Sequence, residues 1–516
     1  MKKPKINKVA DLYTQALVAR SHGNGQQAYS LCQDILKISP NQPEPLSLMG
    51  IILAESGHKI DALGYLTRAL TVLKDPSTFN NRGNLYQALG QHELALDDYD
   101  AALKGNPRFT EAYYNKGNCY KEMNDFQKAI DCYKQALECD PKYYTAYTNM
   151  GLCYQQFQNF KEAIASFDKA IEIKPDYYAP YNNRGFAKHV MMDLDGAIAD
   201  FKKAIELAPN INDSKFNIGF VYLLKGDLEN GWAGHETRWN NKYKPSNLPR
   251  LWRGEDITGK TLYIYHEQGL GDTIQFIRYV KEVKEAGAAK IIVGVKPEIA
   301  KLVATLPEID EVLTDSKAMP EYDYQSPMMS LPYIFKTRVH NIPYAPYLKP
   351  DPERVKYFAD KMGKKTKLRV GVVWSGGFRA DQPDVWAVNE RRNIPMEKIK
   401  EIYNSSVEFY NLQFGAKEYP FPMVDLMGDV KDFSDTAALI ENLDLVITVD
   451  TSTAHVAGAM NKPVWMMNRF DTCWRWLEYG NTTDWYPSFK IYRQKEFMNW
   501  DNVIEEIKED LNGYCK

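Results

Sequence analysis

Hydrophobic positions along this chain follow two different rhythms. Up to about residue 240 they recur at helical spacing, in units that step by 34 residues. Glycine marks the step at Gly83, Gly117, Gly151, Gly185 and Gly219, and proline at Pro107, Pro141, Pro175 and Pro209. Alanine keeps the same step at Ala95, Ala129, Ala163 and Ala197, each followed four residues later by an aromatic: Tyr99, Tyr133, Phe167, Phe201. One earlier unit surrounds Gly50 and a weaker one runs from about Ala10 to Pro40. Such units read as helix pairs that cannot bury their apolar faces alone, so neighbours stack into a solenoid.

From Thr261 onward the rhythm is one of short strands and helices. Thr261–His266 reads as a strand, Glu267–Asp272 as a glycine turn and Thr273–Ala286 as a helix. Lys290–Val295 and Glu311–Leu313 are further strands, with a helix over Pro297–Thr305 between them. After a charged helix and linker at 350–367, a second series opens with the strand Arg369–Trp374 and continues with Val407–Gln413, Leu445–Val449 and Val464–Met467. Alternation of this kind predicts parallel sheets that bind ligands at the carboxyl ends of their strands.

The expected organisation is therefore a helical solenoid over 1–240 and a linker over 241–258. Two Rossmann-like halves follow, at 259–349 and 350–516, facing a cleft. The first region has the tetratricopeptide pattern, with six to seven repeats. Its last unit departs from the pattern. Gly231 stands where the packing alanine belongs and His235 where the aromatic belongs, which marks either a junction with the next domain, a capping repeat, or both. Trp239 and Trp252 are expected to pin the linker, and the final helix, Asp501–Leu511, to cross back over the first half.

Composition narrows the function classes. The 516 residues carry 64 Lys and Arg against 67 Asp and Glu, so no broad charge argues for nucleic acid or a membrane surface. No apolar run has the length of a membrane span, and the basic start at Met1–Lys5 is not followed by a signal-peptide core. The seven cysteines are scattered without a C-x-x-C pair, which suits a reduced cytoplasmic protein.

Candidate chemistry gathers at 443–460. The strand Leu445–Val449 runs into Asp450-Thr451-Ser452-Thr453 and then a helix start with His455. Exposed N–H groups and hydroxyls at a helix N-terminus suit a phosphate, and the same residues also make an ordinary helix cap. In the repeats, Asn115, Asn149, Asn183 and Asn217 share the 34-residue register. On one face of successive inner helices they would form an amide ladder able to grip an extended peptide backbone, and the plain alternative is that Asn belongs to the repeat pattern.

Several stretches resemble the glycosyltransferase family 9 domain, the heptosyltransferase-like group, in its tetratricopeptide-fused branch. They are EQGLGDTIQF at 267–276, VVWSGG at 372–377, NLQ at 411–413, the block at 435–459 and WYPS at 485–488. The resemblance covers essentially the whole chain. It implies a GT-B fold with the acceptor on the first half and a nucleotide-diphospho-sugar on the second. It also implies Asp272 as general base and inversion at the anomeric carbon. Donor contacts are expected from Gly271, Ser375, Arg391, Gln413, Asp450, Thr451, Ser452, Thr453 and His455. Asp272 is equally placed to cap the helix that follows it. The fused relatives usually show Arg-Ser where this chain has Arg391-Arg392-Asn393 after a long insert. GT-B enzymes characteristically need no divalent ion, and Asp381 and Asp384 lie in the insert with the wrong spacing for a metal motif, so no metal and no cofactor is expected. The expected partners are the nucleotide sugar and a protein or glycan acceptor, with no nucleic acid and no membrane insertion. The plan also resembles the protein O-GlcNAc transferases. The departures around the insert leave a second reading, an inactive peptide-binding scaffold.

Overall fold

The computed structural model describes residues 3–240, 250–314, 319–343, 346–377 and 386–515. The chain divides into two compact units, Met1–Arg184 and Gly185–Lys516, and the division falls inside the helix Tyr178–Val190.

The first unit holds five helix pairs, from Lys3–Ser21 with Gly25–Ile38 to Tyr144–Gln156 with Phe160–Ile173. The repeat glycines are there because a ring occupies the place of a side chain. A Cβ on Gly83, Gly117 or Gly151 would lie 2.8, 2.7 or 2.5 Å from the ring of Tyr99, Tyr133 or Phe167. The helices start on side-chain caps: Asp75 and Asp125 accept hydrogen bonds from the backbone N–H groups of Thr78 and Lys128.

The second unit begins with the rest of the helix Tyr178–Val190 and its partner Leu194–Leu207, and then the pair Asp213–Leu224 and Leu228–His235. Here the degenerate repeat finds its reason. Gly219 and Gly234 face one another where a Cβ on Gly219 would lie 3.0 Å from the Gly234 Cα, so these two helices cross closer than a packing ring permits. Trp232, fully buried, turns into a cluster with Phe276, Trp474 and Trp485. Arg238 donates to both Glu267 carboxylate oxygens at 3.0 Å, to Glu236 at 2.6 Å and to Ser330 at 2.7 Å. The last repeat is thus a docking element for the α/β region, as the altered residues suggested.

Two parallel sheets follow. The first contains β1 (Thr261–Tyr265), β2 (Lys290–Gly294), β3 (Glu311–Leu313) and β4 (Tyr324–Pro327) in the order β3-β2-β1-β4. The second contains β5 (Leu368–Val373), β6 (Val407–Asn411), β7 (Val424–Asp425), β8 (Leu445–Val449), β9 (Val464–Asn468) and β10 (Phe489–Arg493). Its order is β10-β9-β8-β5-β6-β7, with Val370 opposite both Phe409 and Leu445. Strand order reverses at β1/β4 in the first sheet and at β5/β8 in the second, and crevices open at such points. The β8 run is buried at every residue, as a central parallel strand covered on both faces must be.

One apolar core runs from Phe201 and Trp232 through Ile264 and Ile274 to Val446 and Val456. A second lies on the other face of the second sheet. There Val503, Ile504, Ile507 and Leu511 of the final helix, Asp501–Tyr514, meet Val370, Val372 and Trp465. This corrects the expected crossover: the apolar stripe of that helix matches the exposed face of its own sheet, and it stays there. Trp252 is buried as expected, and its N–H donates to the Gln325 carbonyl at 2.8 Å, which ties the end of the linker to β4. Of that linker, residues 241–249 lie outside the described residues.

Candidate functional site

The site is built around two short helices that face one another, Leu270–Phe276 after β1 and Ser452–Ala459 after β8. Their approach explains Gly271. A Cβ there would meet His455 Cδ2 at 2.8 Å and Nε2 at 3.3 Å. The imidazole is held in turn. Its Nδ1 lies 2.9 Å from the Tyr486 hydroxyl, its face stacks on Trp476, and its Nε2 is 4.0 Å from Asp450 Oδ1. Burial, reinforced by Arg475, pulls the His455 pKa down from 6.5 to about 3, so the ring is neutral at pH 7.

Asp450 opens the turn after β8. Burial pushes its carboxyl up, but the surrounding charges outweigh that and hold it below the usual value. With His455 neutral, the arginines Arg392, Arg475 and Arg469 supply that field. Thr451, Ser452 and Thr453 are half-exposed at the helix N-terminus, and the Thr451 hydroxyl reaches the Thr448 hydroxyl at 3.2 Å.

Across the β5/β8 switch point lies Ser375-Gly376-Gly377. Gln413, buried at the end of β6, accepts hydrogen bonds from the N–H groups of Trp374 (3.3 Å) and Ser375 (2.9 Å). Its carbonyl oxygen is thereby committed to the backbone of the Trp374-Ser375 turn. Asn393 accepts from the Gly376 N–H at 2.8 Å.

The two neighbouring arginines separate. Arg391 is turned into the protein, with Nε 3.0 Å from Asp471 Oδ2. Arg392 is the one that reaches the loops. It donates to the Asp450 carbonyl at 2.8 Å and to Asn389, and its guanidinium fills the space a side chain on Gly376 would need. The sequence leaves open which of the two corresponds to the family's arginine, with Arg391 named as the expected contact, and only the phase of the helix Trp386–Arg392 distinguishes the pair.

Asp272 sits in the first turn of its helix, and both its carboxylate oxygens are engaged. Oδ2 accepts from the Gly269 N–H at 2.9 Å, which is the capping role. Oδ1 pairs with Arg475 Nη2, from the loop after β9 in the other half. Arg475 also donates to Gln275 and lies over Trp474. Nothing in the local sequence Cys473-Trp474-Arg475-Trp476 marks that arginine as a partner of Asp272 and Gln275, which are 200 residues away and more.

In the repeats, the register asparagines are linked to one another's neighbourhoods. Asn115 Nδ2 donates to Asn80 at 3.0 Å, and Asn149 Nδ2 to Asn118 at 2.8 Å and the Tyr114 hydroxyl at 3.0 Å. The Asn183 carbonyl accepts from Gln155 at 2.9 Å, and Asn217, in the second unit, is half-buried. Asp381 and Asp384 lie outside the described residues. Among the described residues no group of three or more His, Cys, Asp or Glu is placed to hold a metal ion. Nor is any helix there long and apolar enough to cross a membrane.

Comparison with known proteins gives two kinds of match. Tetratricopeptide repeat models match residues 76–109, 110–143, 144–177 and 179–211. The glycosyltransferase family 9 (heptosyltransferase) model matches 410–466, a span that contains Gln413 and Asp450–His455 but neither Asp272 nor Arg475. Protein FlbA of Caulobacter vibrioides is 25% identical over 335 residues, 57% of this chain, and the chain spans about half the length of that relative, 54%. Among solved structures, MamA is 25% identical over 31% of this chain and 94% of its own, with a TM-score of 0.30. A tetratricopeptide repeat protein from Parabacteroides merdae is 22% identical over 46% of this chain and 95% of its own, with a TM-score of 0.38.

Proposed function

We propose that this chain, which joins tetratricopeptide repeats to a glycosyltransferase family 9 region, moves a sugar from a nucleotide-diphospho-sugar to an acceptor hydroxyl. The observation that carries the reading is the β5/β8 switch point. Ser375–Gly377 on one side and Asp450–Thr453 with a helix N-terminus on the other form a polar crevice with Arg392 against both loops. A diphosphate fits that combination of hydroxyls, N–H groups and a cation. In a GT-B arrangement the donor lies on this second half. Asp272, on the facing helix of the first half, takes the acceptor proton, and direct displacement inverts the anomeric centre. Backbone N–H groups and arginines take the charge that develops on the leaving diphosphate, so the reaction needs no metal. The acceptor is a protein or a glycan, with Asn115, Asn149, Asn183 and Asn217 in the repeats as candidate peptide contacts. We place the protein in the cytoplasm, where its free cysteines stay reduced.

The test is a thermal-shift series with UDP, GDP, ADP and their sugar conjugates. A ligand that binds only the folded state raises stability by about 2.7 kcal/mol at a hundredfold excess over its dissociation constant. One diphosphate is expected to shift the transition, and Thr451→Ala/Thr453→Ala to remove the shift. No shift with any of them argues for the scaffold. Transfer that stops on adding EDTA would overturn metal independence, and a product that keeps the donor's anomeric configuration by NMR would overturn inversion.

A further inference from the structure

Asp272 is asked to accept a proton, yet its carboxylate is already shared between the Gly269 N–H and the Arg475 guanidinium. Arg475 belongs to the second half, the half assigned to the donor. It is 8% exposed, pairs with the helix that carries Asp272 from the other half, and feels Asp450 as well as Asp272. Beside it a cavity of about 230 Å³ is lined on its polar side by Arg391, Arg469, Arg475, Gln268 and Asp471. There the single Asp471 carboxylate serves two guanidiniums, Arg391 at 3.0 Å and Arg469 at 3.3 Å. Among the described residues that line the cavity, the arginines outnumber the carboxylates.

We infer that Arg475 is an exchange ligand: when the donor's diphosphate enters, the guanidinium leaves Asp272 for the phosphate oxygens and so frees Asp272 for the acceptor. The inference rests on the transferase reading above. A diphosphate carries more charge than one carboxylate and takes a guanidinium through two parallel hydrogen bonds, so it competes well for the same group. The step then balances. The acceptor oxygen bonds to the anomeric carbon and its proton passes to Asp272. The bond from the anomeric carbon to the phosphate oxygen breaks, and its electron pair stays on the diphosphate, facing Arg475. The device also imposes order, because the base is released only after the donor binds.

Competition for one guanidinium makes an unusual demand on the variant that lacks the carboxylate. By linkage, removing Asp272 must tighten diphosphate binding. Calorimetric titration of the full chain with UDP, GDP and ADP tests this. Asp272→Asn, whose side-chain oxygen still accepts from Gly269, is expected to bind its preferred diphosphate roughly three- to tenfold more tightly. Asp272→Ser is a second variant in case the first folds poorly. Arg475→Gln is expected to weaken binding about tenfold or more, and adding Asp272→Asn to it to change nothing further. A wild type that binds while Asp272→Asn binds equally or more weakly, or an Arg475→Gln variant that binds as well as wild type, overturns the exchange. A wild type that binds none of the three diphosphates overturns the donor reading itself.

Discussion

At the scale of single residues the site depends on close approaches that the side chains cannot relax. Gly271 touches an imidazole already held by Tyr486 and Trp476, so Gly271→Ala must move a helix. The expected cost is about 1–3 kcal/mol, the usual penalty for overpacking. Scanning calorimetry would show it as a lower Tm, and an unchanged Tm would mean that His455 yields easily. The arginine pair separates by role. Arg392→Ala is expected to weaken nucleoside diphosphate binding about tenfold, since it removes a charged donor from the crevice. Arg391→Ala is expected to act on stability, because it leaves the buried Asp471 with Arg469 as its one remaining guanidinium partner among the described residues. Titration and urea unfolding on both variants would test the division, and the reverse pattern would restore Arg391 as the donor contact.

At the scale of the element, the helix pairs show a rule that couples two positions fifteen residues apart. The Tyr99 hydroxyl donates to Asn84 at 2.8 Å and the Tyr133 hydroxyl to Asn118 at 2.7 Å. Where the ring is Phe167 or Phe201, the matching position holds Leu152 or Phe186. A phenol here brings its own acceptor, and a phenyl ring brings an apolar neighbour. Phe167→Tyr is therefore expected to destabilise the first unit by about 1 kcal/mol, the cost of a buried hydroxyl that lacks the asparagine acceptor. Leu152→Asn in the same chain is expected to restore most of it. Urea unfolding of the two single variants and the double variant measures the coupling, and simple additivity would refute the pairing.

At the scale of the whole molecule, the second unit buries charge and titratable groups far from their sequence neighbours. Burial pulls His189 down to about 4, His455 to about 3 and His235 well below its usual value. Each stays neutral when folded but takes a proton near pH 6.5 when unfolded. The stability these rings hold is therefore complete above about pH 6.5 and is lost as pH falls toward the folded values. The slope is about 1.4 kcal/mol per pH unit for each ring. Glu267 works in the opposite sense at lower pH, because burial raises its carboxyl even beside Arg238. The urea midpoint of the second unit is expected to drop between pH 7.5 and 5, and His455→Gln to remove about one proton from that dependence. A midpoint independent of pH over this range would contradict the lowered proton affinity of the three rings in the folded chain.

The two units together show what was legible beforehand. The 34-residue step, the glycine–ring contacts and the strand–turn–helix around Asp450 follow from local pattern. Helical and strand periodicity, and the need of a small residue under a ring, are properties of neighbours in sequence. Gly231 and His235 marked a junction for the same reason, as breaks in a period. Tertiary structure alone decided which arginine of Arg391-Arg392 meets the loops at the β5/β8 switch point, that Gln413 serves the backbone after another strand, and that Arg475 holds Asp272. It also decided that the final helix covers its own sheet. Each of these depends on partners brought together by sheet order and by the facing of two helices. Hydrogen bonds and ion pairs between such partners leave no period in the chain, since any arginine at the right point in space serves, whatever its neighbours in sequence.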